Sequence, residues 1–173
     1  MGPEVNMIHK IAKGDLEALE SLYHTYKHRL FVYLFRMLND RESTEEVIND
    51  VVHSIWRGAA KFEGKSLLST WIFGIARKKA LTFRARLKAE TSDLDNIVPL
   101  PDHNPNPEDK LIRKDLVKRA LRFLSPEHRE VIELTFYSGF SYKEISEIID
   151  CPVNTVKTRM FHARQQLRKS LSG

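Results

Sequence analysis

Apolar residues recur along this chain at steps of three and four, and no run alternates with period two long enough to make a strand. Leu16, Leu19, Tyr23, Tyr26, Leu30, Leu34 and Met37 form one such stripe, which predicts a helix capped by Asp15 and ending near Leu38. Ser43-Thr44-Glu45-Glu46 fits a capping box, in which Ser43 and Glu46 satisfy each other's free backbone donors. The helix it opens turns Val47/Ile48, Val51/Val52 and Ile55/Trp56 inward. Its other face shows Glu46, Asn49, Asp50, His53 and Arg57. A break at residues 61–65 precedes a helix predicted over 66–88. That helix begins apolar (Leu67, Leu68, Trp71, Ile72, Ile75) and ends basic (Arg77, Lys78, Lys79, Arg84, Arg86, Lys88).

The second half reads the same way. A helix is predicted over 108–124, and Ser125-Pro126 supplies an N-cap with proline in the first turn of the next, which stops before Gly139. Ser141-Tyr142-Lys143-Glu144 is a second capping box, opening a short helix through Ile149. Asp150-Cys151-Pro152 makes a tight turn. The last helix runs from about Pro152 to Leu171, burying Val153, Val156, Met160, Ala163, Leu167 and Leu171 and presenting Asn154, Lys157, Thr158, Phe161, His162, Arg164 and Arg168. Between the halves, four of the seven prolines fall within residues 91–109 and break any helical period. The expectation is an all-α chain: a helical domain over 1–90, an acidic Pro-rich linker over 91–107, and a second helical domain over 108–173.

Charge sharpens this division. The 173 residues carry 28 Lys and Arg against 23 Asp and Glu, a net of +5 that says little alone. Residues 1–90 carry +4, residues 91–115 carry −3 and residues 116–173 carry +4, so two basic domains flank an acidic connector. No apolar run approaches the roughly 18 residues of a membrane span, and the first residues lack a secretory signal pattern. The single Cys151 excludes an intrachain disulfide and a multi-Cys zinc site, which points to the cytoplasm. Glu20, His24 and His28 share a face, but i, i+4 histidines of this kind are ordinarily surface residues and no metal is assigned. No phosphate-binding glycine loop, G-x-S-x-G or carboxylate–histidine set is present, so neither an enzyme nor a cofactor is expected.

The positive signal is a short helix, a tight turn and a longer helix with basic and hydroxyl residues at its start, which is a helix-turn-helix pattern. The second helix fits the major groove, where Lys and Arg reach phosphates and guanine, and Thr reaches several bases. Spacing alone also fits a helical hairpin with a solvated basic face, or a stand-alone duplex-binding regulator.

The motifs go further. F-S-Y-K-E-I-S-E-I-I-D-C-P-V-N-T-V-K-T-R-M-F-H-A-R-Q-Q-L resembles the fourth conserved region of sigma-70-type transcription initiation factors. D-R-E-S-T-E-E-V-I-N-D-V-V and F-E-G-K-S-L-L-S-T-W-I-F-G-I-A-R resemble the second. In this order, with a short linker, they are similar to the extracytoplasmic-function (group 4) sigma factors. The resemblance implies an alternative sigma subunit that guides core RNA polymerase to promoters and helps to melt them.

It also implies site residues. Glu45, Glu46, Asn49 and Asp50 match the surface that docks on the polymerase beta-prime subunit, with the beta subunit as a further partner. Phe62, Lys65, Ser66, Ser69 and Thr70 match the capture pocket for the minus-ten element, and Arg77, Lys78, Lys79 and Arg84 the residues holding its backbone. Trp71 falls on the buried stripe, which favours core packing over base stacking. Asn154, Thr155, Lys157, Thr158, Arg159, Phe161, His162 and Arg164 match the reader of the minus-thirty-five duplex. Relatives often carry an acidic residue at Ser43, Gln at Asn49, Asn at Lys78, Gly at Asn154, Ser at Thr158 and Arg at His162. A neutral His at the last position holds phosphate more weakly than Arg. A phosphate on Ser43 or Thr44 would supply negative charge at a helix start, so a regulatory kinase or an anti-sigma protein is the class of partner expected to control the factor. The acidic linker reads either as a solvated tether or, as the resemblance implies, as a strand threading the polymerase's RNA exit path.

Overall fold

The computed structural model describes residues 2–91 and 119–172. The chain divides into two compact units, Met1–Leu100 and Pro101–Gly173. The predicted linker beyond Thr91, and the predicted helix 108–124 up to residue 118, lie outside the described residues. All regular structure among the described residues is helical.

The first unit holds α1 (Pro3–Ala12), α2 (Leu16–Leu38), α3 (Arg41–Gly58) with a 3₁₀ turn at Ala59–Lys61, and α4 (Leu68–Glu90). Helices α2, α3 and α4 pack on one another, and α1 lies against α2, α3 and the 3₁₀ turn. Their common core is Tyr26, Leu30, Tyr33 and Leu34 from α2, Val47, Val51 and Ile55 from α3, and Ile72, Phe73, Ala76 and Ala80 from α4, closed by Ile8 and Ile11 of α1. Each large side chain of this set contributes about 1.5–3 kcal/mol by leaving water. Helix α1 was not foreseen; with only two buried residues in ten it lacks a stripe long enough to read.

Several sequence expectations shift here. Asp15 caps α2 as predicted, accepting from the Ala18 N–H at 3.0 Å, but Leu16 is 67% exposed while Ala18, Leu22 and Tyr33 are buried. The buried face therefore lies a fraction of a turn from the predicted stripe, against α1, α3 and α4. Helix α3 does not begin at a Ser43–Glu46 box. It begins at Arg41, and Asp40 is the N-cap. The Asp40 carboxylate accepts the Ser43 N–H at 2.8 Å and the Ser43 hydroxyl at 2.6 Å. Those bonds hold its carboxyl below the usual carboxylate range. Thr44 is fully buried, its hydroxyl donating to the Asp40 carbonyl at 2.6 Å. The charge thought absent at this helix start is thus present, one turn earlier. Helix α4 starts at Leu68 rather than Ser66, and Leu67 stays 59% exposed.

In the second unit, residues 119–122 are helical, followed by α5 (Pro126–Ile132), which loosens into a π turn over Glu133–Tyr137, then α6 (Tyr142–Ile149) and α7 (Val153–Leu171). Ser125 caps α5 by accepting the His128 N–H at 3.2 Å. Gly139 (φ 74°) supplies the left-handed residue that ends this stretch. The Ser141–Glu144 box forms in both directions, at 3.3 Å and 2.7 Å, and Asp150 (φ 53°) makes the turn into α7. Helices α5 and α6 both pack on α7 around Val131, Leu134, Ile145, Ile148, Val156, Met160 and Ala163. Full burial along α7 stops at Ala163, so Leu171, expected inside, is 54% exposed.

Candidate polymerase and promoter surfaces

Because α3 turns Val47, Ile48, Val51 and Ile55 inward, Glu45, Glu46, Asn49 and Asp50 stand outward and all four are exposed. The face is not bare. Glu45 accepts from Arg41 Nε at 3.0 Å along the same helix. Glu46 accepts from Arg86 Nη2 of α4 at 2.9 Å, and Glu90 lies 3.9 Å from Arg86 Nε. The bond to Glu46, with the nearby charges of Glu90 and Asp50, holds the Arg86 guanidinium above its ordinary value. Arg86 also lies over the Phe83 ring at 4.9 Å. Its partnership with Glu46 spans two helices, so neither residue's neighbours in the sequence announce it.

The loop between the 3₁₀ turn and α4 holds the second group. Phe62 is half-buried, its ring 5.0 Å from that of Trp71. Trp71 is half-buried as well, and it crowds Gly58, where an added Cβ would come within 3.2 Å of it. The sequence placed Trp71 in the core; it instead rests on α3 and Phe62 at the border of the core. Lys65 is exposed and paired with Glu63, and Ser66 and Ser69 are half-buried. Thr70 is 2% exposed, with no hydrogen-bond partner for its Oγ1. The 100° step of the helix that turns Ser69 out turns Thr70 in, so it cannot meet a base as placed. Further along α4, Lys78 and Arg84 are exposed and Arg77 and Lys79 half-buried.

Helix α7 gathers the third group. Asn154, Lys157, Thr158, Phe161, His162 and Arg164 are exposed, with Thr155 and Arg159 half-buried at the margin. Phe161 is 59% exposed beside the cationic and amide groups, an arrangement unlike a simple solvated face. Arg164 sits over the Phe136 ring at 5.8 Å. A shallow concavity of about 320 Å³ is lined by Asn154, Thr155, Thr158, Arg159 and His162 of α7 and by His128 of α5. The carboxyl of Glu127, next to it, is held below its ordinary value by its own backbone N–H, by Ser125, and by the charges of Arg159 and His128. His128 had no sequence signal, since only the packing of α5 on α7 brings it here. Among the described residues, no group of three or more His, Cys, Asp or Glu is placed to hold a metal.

These surfaces lie on segments that match two family models: Sigma-70 region 2 over residues 22–90 and Sigma-70, region 4 over residues 114–167. The chain belongs to the sigma-70 family, in its extracytoplasmic-function group. It is an RNA polymerase sigma factor, acting in transcription initiation. It is 29% identical over 174 residues to the ECF RNA polymerase sigma-E factor of Escherichia coli, covering 93% of this chain and 90% of that one. It is 25% identical over 177 residues to the RNA polymerase sigma-H factor of Pseudomonas aeruginosa, covering 95% and 92%. Among solved structures, the sigma factor RpoE of Bartonella quintana, in complex with the anti-sigma factor NepR, matches with a TM-score of 0.73 and 27% identity over 88% of this chain and 96% of that one. In family terms, most of α2 together with α3 and α4 belongs to region 2, and α5 to α7 carry region 4. Helix α1 precedes the matched span.

Proposed function

We propose that the two units of this sigma factor divide its work. The acidic face of α3 (Glu45, Glu46, Asn49, Asp50) docks on core RNA polymerase. The loop and start of α4 (Phe62, Lys65, Ser66, Ser69) capture an unpaired minus-ten base, while Arg77, Lys78, Lys79 and Arg84 hold the strand. The open face of α7 reads the minus-thirty-five duplex. Extruding a base costs a few kcal/mol, which stacking on an aromatic such as Phe62 offsets. Thr70 has no part in this, being buried.

The observation that carries the reading is the α7 face, where Asn154, Lys157, Thr158, Phe161, His162 and Arg164 are exposed together on the second helix of a formed helix-turn-helix. The factor works in the cytoplasm, where core polymerase and DNA are, and performs no covalent step itself. The match to a sigma factor solved with its anti-sigma factor supports control by a protein antagonist. Run-off transcription from a fragment library with purified core polymerase tests the whole. Promoter-specific transcripts that are lost on Lys157→Ala and on Glu46→Ala are expected. Undiminished transcription by both variants would sink the assignment.

A further inference from the structure

His128 and His162 come from different helices, yet their rings lie nearly parallel (29°) with centroids 6.1 Å apart, at the wall of the α5–α7 concavity. The remaining lining is donor-rich: the Asn154 amide, the Thr155 and Thr158 hydroxyls and the Arg159 guanidinium. One hydroxyl is already used, Thr158 donating to the Asn154 carbonyl at 2.9 Å. Glu127 on α5 interacts electrostatically with His128 and with Arg159 of α7, and Arg159 shares the concavity with both rings. The neutral Gln166 faces His128 Nδ1 at 3.3 Å. Such a site, with two imidazoles, a guanidinium and hydroxyls over a shallow opening, suits a single anionic oxygen cluster rather than a base edge. It opens at the flank of α7, where the sugar-phosphate backbone passes when the helix enters a major groove.

We infer that His128 and His162 together form a seat for one DNA backbone phosphate, filled best when the imidazoles are protonated. This rests on the reading of α7 as the minus-thirty-five helix and adds a residue, His128, from outside it. Two cationic rings so close repel each other. A phosphate accepting from the in-plane N–H groups at the open edges of both rings offsets that cost, so phosphate binding and proton uptake favour each other. The linkage has a definite sign. If the complex holds more protons than the free protein, affinity rises as pH falls.

The test uses the full chain and a short fluorescein-labelled duplex, chosen from a fragment library by selective binding at about pH 8. From about pH 8 to about pH 6, binding should tighten about three- to tenfold, the worth of one or two exposed charge pairs. The slope of log affinity against log salt should steepen by about 0.9, the value for one neutralised phosphate. Calorimetry in two buffers of different ionisation enthalpy should show proton uptake on binding, a readout that needs no variant. His128→Gln should lose part of the pH increment and His128→Gln/His162→Gln all of it. His24→Gln, in the other unit, should keep it. An increment that survives in the double variant, or is absent in the wild type while selective binding persists, overturns the seat alone. Absence of selective duplex binding at both pH values overturns the reading of α7, and the seat with it.

Discussion

Replacing Asp40 by alanine removes the side chain that starts α3, the helix carrying the acidic face. Two acceptor contacts go, to the Ser43 N–H at 2.8 Å and the Ser43 hydroxyl at 2.6 Å. A negative charge at the positive end of an 18-residue helix goes with them. Asp40 is exposed, so solvent screens the charge part and the loss should resemble an ordinary N-cap deletion, about 1 kcal/mol. For a domain of this size that lowers the unfolding midpoint by about 4–8 °C. Asp40→Asn keeps an acceptor and should lose less than half as much. The carboxyl titrates below its unfolded value, so its contribution is present above about pH 4 and fades as the pH falls through the folded value. Thermal unfolding by circular dichroism at about pH 7 and about pH 3 measures both effects. An alanine variant as stable as the wild type at neutral pH, or a deficit that does not shrink in acid, would refute the assignment of Asp40 as the cap. The geometry also bears on modification. A phosphate on Ser43 would face the Asp40 carboxylate it now donates to, so it would loosen the helix start instead of strengthening it.

Other consequences can be measured alongside. Lys157→Ala should weaken duplex binding and lower the magnitude of its salt slope by about 1; an unchanged slope would exclude a phosphate contact. Phe73→Ala, at a fully buried site against Tyr33, should cost the first unit about 3–5 kcal/mol in denaturant unfolding, and a loss below about 1 would contradict that packing. Burial and the hydrogen bond to Glu4 push Tyr26 up to about 12. Its contribution is therefore full below about pH 10 and lost as pH rises toward about 12, and Tyr26→Phe should flatten that alkaline loss of stability. Arg86→Ala frees Glu46, so association with core polymerase should tighten if the acidic face is the docking surface. Weaker association would show that Arg86 itself touches the polymerase.

The helices and their punctuation were legible because each signal is local. Asp15, Ser125-Pro126 and the Ser141–Glu144 box cap their helices through contacts three residues away, and the exposed face of α7 follows from 3.6-residue periodicity alone. The motif blocks, read as strings, gave the family. What failed needed the third dimension. Ser43 looked like a cap because the box pattern fits there, but Asp40 reaches the same N–H first. Leu16 and Leu171 continue apolar stripes that no helix among the described residues covers, and Thr70, polar enough to be offered to DNA, is turned inward by its place on α4. The pairs that tune the surfaces are tertiary as well: Arg86 meets Glu46 only where α4 crosses α3, and His128 meets His162 only where α5 packs on α7. The amino-acid order alone told which described segments other than α1 are helices, to within a turn at their ends, and which lineage they belong to, since hydrophobic period and capping act within one turn. Packing set which polar residues stand exposed and which are paired or buried, because exposure and ion pairing depend on what the rest of the chain brings alongside.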